Sequence, residues 1–148
     1  MKRAIAFVIP AALTIAILTA TGCTKQARAE QADEPSVDRG RYLVEQASMC
    51  GDCHTPRRED GSFDETRRLH GAEIDFAPIV PVPAWATVAP PLAGGCVMGW
   101  SRDQLITYLQ TGTTPEGIPA ARPPMPPYRF SRTDAESIVL YLETLQGP

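Results

Sequence analysis

Three stretches of the chain repeat apolar residues at helical spacing, and the long runs between them do not. The last stretch is the clearest. Ala135, Ile138, Val139, Leu142 and Leu145 fall on one face, with Ser131 and Asp134 available to cap the start and Gly147 to mark the end. A second helix is predicted over 101–110, where Ser101 and Gln104 have capping-box spacing. Leu105, Ile106 and Leu109 share its apolar face, and Gly112 lies just past its end. A first helix is predicted over 37–49, capped by Ser36 or Asp38, with Tyr42, Leu43, Val44 and Ala47 on its apolar side. No stretch alternates well enough to predict a strand, so the pattern gives helices joined by long loops.

The loops are rich in proline. Of the 15 prolines, most fall in 78–91 and 115–127, where they enforce extended or turning backbone. A chain of 148 residues with 43% hydrophobic and 21% charged residues has room for one globular domain. With so much loop its core is modest for its surface, and a large internal cofactor would supply apolar interior.

The N-terminus reads as an export segment. Lys2 and Arg3 precede the uncharged apolar run 4–20, which is long for a signal core and short for a membrane span. Ala20-Thr21-Gly22-Cys23 then resembles a lipobox, at which bacterial lipoprotein precursors are cleaved and acylated on cysteine. A second site, Ala27-Arg28-Ala29, fits cleavage to a soluble product, and an uncleaved helical anchor is a third reading. The lipobox reading is preferred. It gives a lipoprotein signal peptide (1–22), a flexible polar tether (23–36) and a folded domain (37–148). All three readings put the domain outside the cytoplasm. Without Lys2 and Arg3 the chain keeps 12 basic and 17 acidic residues, net −5. That balance removes the electrostatic case for nucleic acid.

The chemistry is concentrated at Cys50-Gly51-Asp52-Cys53-His54. Two thiols separated by two residues can both add to the vinyl groups of a haem, and the following histidine then coordinates the iron. The same cysteines could form a redox disulfide, which calls for a βαβ setting. They could be half of a zinc site with Cys96 and His70, or a structural disulfide. A second feature favours haem. Met125 sits in Pro123-Pro124-Met125-Pro126-Pro127-Tyr128, where prolines hold an extended loop that can present a thioether sulfur as the other axial ligand. Met49 and Met98 are rivals for that role. Only one CxxCH occurs, which points to one covalent haem c in this chain. Cys96 is the odd cysteine and reads as a buried free thiol.

From residue 37 to residue 145 the chain resembles class I cytochromes c, on Arg39-Gly40-Arg41-Tyr42-Leu43-Val44, the CGDCHTPR run and PPMPPY before the final helix. The resemblance implies an all-α cytochrome c fold: three main helices and long proline-rich loops around the haem. Gly40 and Val44 on the first helix would meet Ile138 and Tyr141 on the last. It also implies that the loop 67–71 orients the iron-bound imidazole through a backbone carbonyl while a leucine packs on the haem. His70 reads as a loop residue, Arg57, Arg58, Arg67 and Arg68 as part of a solvated mixed-charge loop, and Trp85 and Trp100 as packing residues, Trp100 with a place against the haem. The expected function is electron transfer, without catalysis, between a redox protein donor and acceptor on the periplasmic side of a bacterial membrane, as a free carrier or a subunit of a dehydrogenase or oxidase. The membrane is reached through the lipid on Cys23; a soluble periplasmic form is the alternative. The competing functions are a haem enzyme or gas sensor with an open sixth site, and a haem-free lipoprotein.

Overall fold

The computed structural model describes residues 34–95, 97–117 and 122–148; the leader, Cys23 and Cys96 lie outside the described residues. The described chain is mostly helical, which is compatible with the expected cytochrome c fold. Helix α1 (Val37–Tyr42) runs into a π-helical turn, Leu43–Ala47, and α2 (Gly51–His54) follows at once. A 3₁₀ turn, Glu65–Arg67, precedes β1 (Ala72–Glu73), which pairs antiparallel with β2 (Val88–Ala89), Ala72 opposite Ala89. Helices α3 (Arg102–Thr111) and α4 (Arg132–Thr144) complete it. Among the described residues no helix is long and apolar enough to cross a membrane.

The caps sit where the sequence puts them. Ser36 Oγ accepts from Arg39 N, Ser101 and Gln104 form a full capping box, and Ser131 accepts from Asp134 N. Helix α3 ends at Gly112 in the left-handed conformation.

Five features differ from expectation. The first helix does not run to residue 49. Its ladder widens at Ser48 N–H to Leu43 carbonyl, and Met49 takes a positive φ of 49°. This lets the chain turn sharply into α2, a fourth helix that the pattern is too short to signal. Helix α4 stops at Thr144, short of Gly147, because the Leu142 carbonyl takes N–H groups from Gly94 and Leu145. The two-residue ladder is likewise too short for alternation to reveal. Lastly, the Met125 segment is a turn where an extended loop is expected. Met125 N–H reaches the Arg122 carbonyl at 3.0 Å, and Met125 is the first residue after two prolines with an N–H to give.

The core lies where α1, α3 and α4 meet, with Val44, Leu69, Ala135 and Val139 fully buried. Each such Leu, Ile or Val contributes about 1.5–3 kcal/mol. The α1–α4 crossing depends on Gly40. A Cβ there would lie 1.9 Å from the Ser137 carbonyl oxygen and 2.8 Å from the Tyr141 Cβ. Gly40 therefore meets Tyr141 as expected, with Ser137 as its nearest neighbour on α4. Ser36 N–H donates to Ser137 Oγ at 3.1 Å beside it.

Candidate functional site

The short α2 turn presents Cys50, Cys53 and His54 together. His54 N–H bonds to the Cys50 carbonyl at 3.0 Å, so two cysteines and a histidine share one turn of backbone. Both cysteines are half-buried free thiols. Burial, first among the causes, pushes the Cys50 thiol up to about 11 and also raises Cys53. A redox CxxC needs a lowered thiol pKa, so these cysteines are poorly set up for thiol–disulfide exchange.

His54 is 6% exposed. Its Nδ1 lies 2.7 Å from the Pro90 carbonyl oxygen. A carbonyl only accepts, so Nδ1 carries the proton and the lone pair resides on Nε2. Burial lowers the imidazole pKa, against the raising effect of the Pro90 bond, and keeps the ring neutral. The loop 67–71 holds the turn in another way. Gly71 N–H donates to the His54 carbonyl at 2.8 Å, and Leu69 N–H donates to Thr55 Oγ1 at 3.1 Å. The carbonyl on the imidazole thus comes from Pro90, and the expectation that loop 67–71 supplies it is corrected. Gly71 can approach because it lacks a side chain. A Cβ there would lie 2.8 Å from Pro91 N and 2.9 Å from the Ala89 carbonyl oxygen.

Met125 is half-buried and packs against the core. The Tyr108 hydroxyl, from α3, donates to its sulfur at 3.4 Å, and the Tyr108 ring rests on Trp100 with centroids 5.1 Å apart. Tyr128 stacks on Phe130 and donates its hydroxyl to the Ser48 carbonyl at 3.0 Å, just ahead of Cys50. Its phenol pKa is raised by burial first, then by Cys50, and further by Cys53 and Tyr108. Tyr128 therefore lies within electrostatic reach of both cysteines and of the tyrosine that holds Met125. The rivals for the second ligand stand apart: Met49 and Met98 are exposed.

His70 is engaged elsewhere, with Nε2 3.0 Å from the Gln146 carbonyl oxygen. Three of the loop arginines pair at the surface as expected, Arg57 with Asp75 and both Arg58 and Arg67 with Asp64. Arg68 reaches inward as well. It bonds Glu45, which also accepts from the Tyr141 hydroxyl at 2.8 Å, and so ties the loop before β1 to the helix crossing.

No family model matches the chain. Over 82 residues it is 37% identical to a diheme cytochrome c-type protein of Cereibacter sphaeroides, a match covering 55% of this chain and 25% of that protein. It is 35% identical over 82 residues to the cytochrome c subunit of the quinone alcohol dehydrogenase of Gluconobacter oxydans, covering 53% and 16%. The fructose dehydrogenase cytochrome subunit of Gluconobacter japonicus is 39% identical over 79 residues, covering 52% and 14%. The chain is related to c-type cytochromes. It matches a quarter or less of the length of each of these relatives.

Kinship with c-type cytochromes implies covalent haem c, and the residues present fit it. Two unpaired thiols lie one turn apart, beside a buried neutral imidazole whose Nε2 is free to coordinate. Three contributors were not foreseen. Pro90 acts through its carbonyl, which no side-chain motif reveals. Tyr108 and Tyr128 depend on which turn of a helix or loop faces the site. The one local signal was the position of Tyr128 in PPMPPY.

Proposed function

We propose that this protein is a monohaem c-type cytochrome carrying single electrons between redox proteins on the periplasmic side of a bacterial membrane. In this reading Cys50 and Cys53 hold the haem through thioethers, His54 is the proximal ligand through Nε2, and Met125 is the sixth ligand. The observation that carries it is the His54–Pro90 hydrogen bond, which leaves one neutral nitrogen lone pair on a buried ring in the same turn as two free thiols. When bound, the haem supplies a one-electron Fe(III)/Fe(II) couple. The chain supplies the rest. Pro90 fixes the tautomer and orientation of His54, Tyr108 holds the Met125 sulfur, and Tyr128 fastens the Met125 loop to the turn before Cys50. A site with both axial positions filled suits a carrier, since a catalyst or sensor keeps one open. Relatives that are cytochrome subunits of dehydrogenases support a dehydrogenase as donor, with this chain as its electron-transfer subunit or its mobile acceptor. Acylated Cys23 and the tether 23–36 would keep the domain at the membrane, and cleavage after Ala29 would release it.

The test uses the exported, haem-loaded protein. Haem should survive acid–organic extraction, the reduced protein should bind carbon monoxide slowly, and Met125→Ala should bind it fast and fall in potential. Extractable haem overturns the thioethers. Rapid stoichiometric carbon monoxide binding by the wild type replaces the carrier with the enzyme or sensor. Intact mass settles the N-terminus, which should be diacylated Cys23 and not Glu30.

A further inference from the structure

Residues 76–101 contain no Asp, Glu, Lys, Arg or His. β1 and β2 close a hairpin whose loop, 74–87, falls mostly in that run and carries three of the exposed large apolar residues among those described. Ile79 is fully exposed, Val80 and Phe76 are 66% and 50% exposed, and Val88 stands beside them at the foot of β2. Phe76 and Trp85 brace the loop edge to face, centroids 5.8 Å apart. Large apolar side chains held in solvent together on one short loop mark an interaction site in a folded protein.

The loop is fastened to both halves of the site. At its base, Gly71 donates to the His54 carbonyl and Ala89 leads directly into Pro90, whose carbonyl faces the imidazole. Farther along, Ala86 N–H donates to the Pro123 carbonyl at 2.6 Å, and Arg122 Nε donates to the Ala84 carbonyl at 3.1 Å. One segment thus spans from the His54 side to the Met125 side, with its apolar residues turned outward.

Charge decides among the occupants. A bilayer-binding loop uses free Lys or Arg beside its apolar residues. Here the loop has none, and the basic neighbours are committed: Arg57 to Asp75, the Gly61 carbonyl and the Phe63 ring, Arg122 to the Ala84 carbonyl. Asp75 is offset by Arg57, and Glu73 and Arg122 carry opposite charges, so the rim sets up no strong net field to attract a charged face, and the complementary surface is apolar and uncharged. Pro78, Pro81 and Pro83 stiffen the loop in advance and reduce the entropy lost on docking.

We infer that the 74–87 loop is the docking surface for the redox protein that exchanges electrons with this chain, and that the partner offers an apolar, uncharged protein face. The inference rests on the electron-transfer reading. In each encounter one electron leaves the reduced partner and enters the oxidised haem, or the reverse, with no bond made and no proton moved.

The test uses the haem-loaded full chain and membranes of its source organism reduced by their own dehydrogenases. A photo-crosslinking amino acid at Ile79 should capture a subunit that mass spectrometry identifies as a flavin, quinone or haem protein. The double variant Ile79→Glu, Val80→Glu should be reduced at least about tenfold more slowly than wild type, at unchanged potential and unchanged reduction by dithionite. The wild-type rate should change less than about twofold between roughly 0.02 and 0.2 M salt. Wild-type speed in the double variant, or a steep fall with salt, overturns the surface. So does a cross-link only to a second copy of this chain. Pelleting with protein-free phosphatidylcholine or phosphatidylglycerol vesicles, lost in the double variant, would assign the loop to lipid instead. A protein that carries no covalent haem defeats the functional reading itself, which separates the two failures.

Discussion

The two sides of the candidate site are built by different means. On the His54 side every bond has a backbone partner: Gly71 N–H donates to the His54 carbonyl, Leu69 N–H to Thr55 Oγ1, and the imidazole to the Pro90 carbonyl. Leu69 and Thr55 are 0% and 2% exposed. On the Met125 side four prolines remove the N–H groups that such a network needs. There the side chains take over, with the Tyr108 hydroxyl on the Met125 sulfur and the Tyr128 hydroxyl on the Ser48 carbonyl. Backbone bonds survive most substitutions, because any residue but proline supplies the same groups. Apart from Thr55 and His54 themselves, the His54 side should therefore tolerate change except where a Cβ intrudes, while the Met125 side can be loosened one hydroxyl at a time.

The largest effect is expected at that exception. Gly71→Val would force a side chain against Pro91 N and the Ala89 carbonyl, at a φ of 82°, and should cost about 3 kcal/mol or more by thermal melting. Gly61→Val is the control. Its φ is 83° but nothing lies within 4 Å of the added Cβ, so only the left-handed strain of about 1–2 kcal/mol remains. Equal losses in the two variants would show that close approach to Pro91 is not what glycine provides at 71.

One side-chain network does serve the His54 side, and it gives the next effect. Burial alone would raise the Glu45 pKa, but hydrogen bonds from Arg68 and Tyr141, with the charges of Arg68 and Arg41, outweigh it and leave the carboxyl below its ordinary value. A carboxylate lowered on folding contributes stability above its unfolded pKa and loses it as pH falls through the folded value. With Arg68 about one third exposed, that contribution is on the order of 1 kcal/mol. Wild type should exceed Glu45→Gln in stability near neutral pH, and the gap should close on acidification below about pH 4. A gap independent of pH would mean that the carboxylate charge contributes nothing.

The same contrast explains what could be read in advance. Helices α3 and α4 were legible because their apolar spacing and their Ser101 and Ser131 caps are written in side chains. Gly40 was legible as a close contact through the resemblance to class I cytochromes c, which implies that the first and last helices cross there. Cys50, Cys53, His54 and Met125 drew attention by residue type and spacing. Pro90 did not, because any residue's carbonyl could do its work and only the folded path brings it to His54. The π-helical turn was hidden for a similar reason: Leu43, Val44 and Ala47 fit an α-helical face, and the departure is set by the turn that α2 requires. Tyr108 lay on a helix already assigned to the core, and nothing local distinguishes a tyrosine that packs from one whose hydroxyl reaches a sulfur.

The smallest expected effect is the sharpest test of the contrast. Tyr128→Phe removes one hydroxyl and keeps the ring, whose stack on Phe130 has centroids 4.9 Å apart at 22°. The Ser48 carbonyl loses its partner at a half-buried position that water can reach, so stability should fall by only about 0.5–1 kcal/mol. The consequence should be local. Amide exchange at Met125 and Phe130, whose N–H groups bond the Arg122 and Leu109 carbonyls, should speed up while Leu69 and Gly71 keep their protection, because their bonds belong to the network around His54. On the proposed His54/Met125 ligation, imidazole should displace Met125 in the oxidised haem-loaded protein several times faster than in wild type, since the loop that carries the sulfur has lost its tie to the turn before Cys50. Loosening spread equally over both sides would show that they form one cooperative unit, and the division of labour between backbone and side chains would then fail.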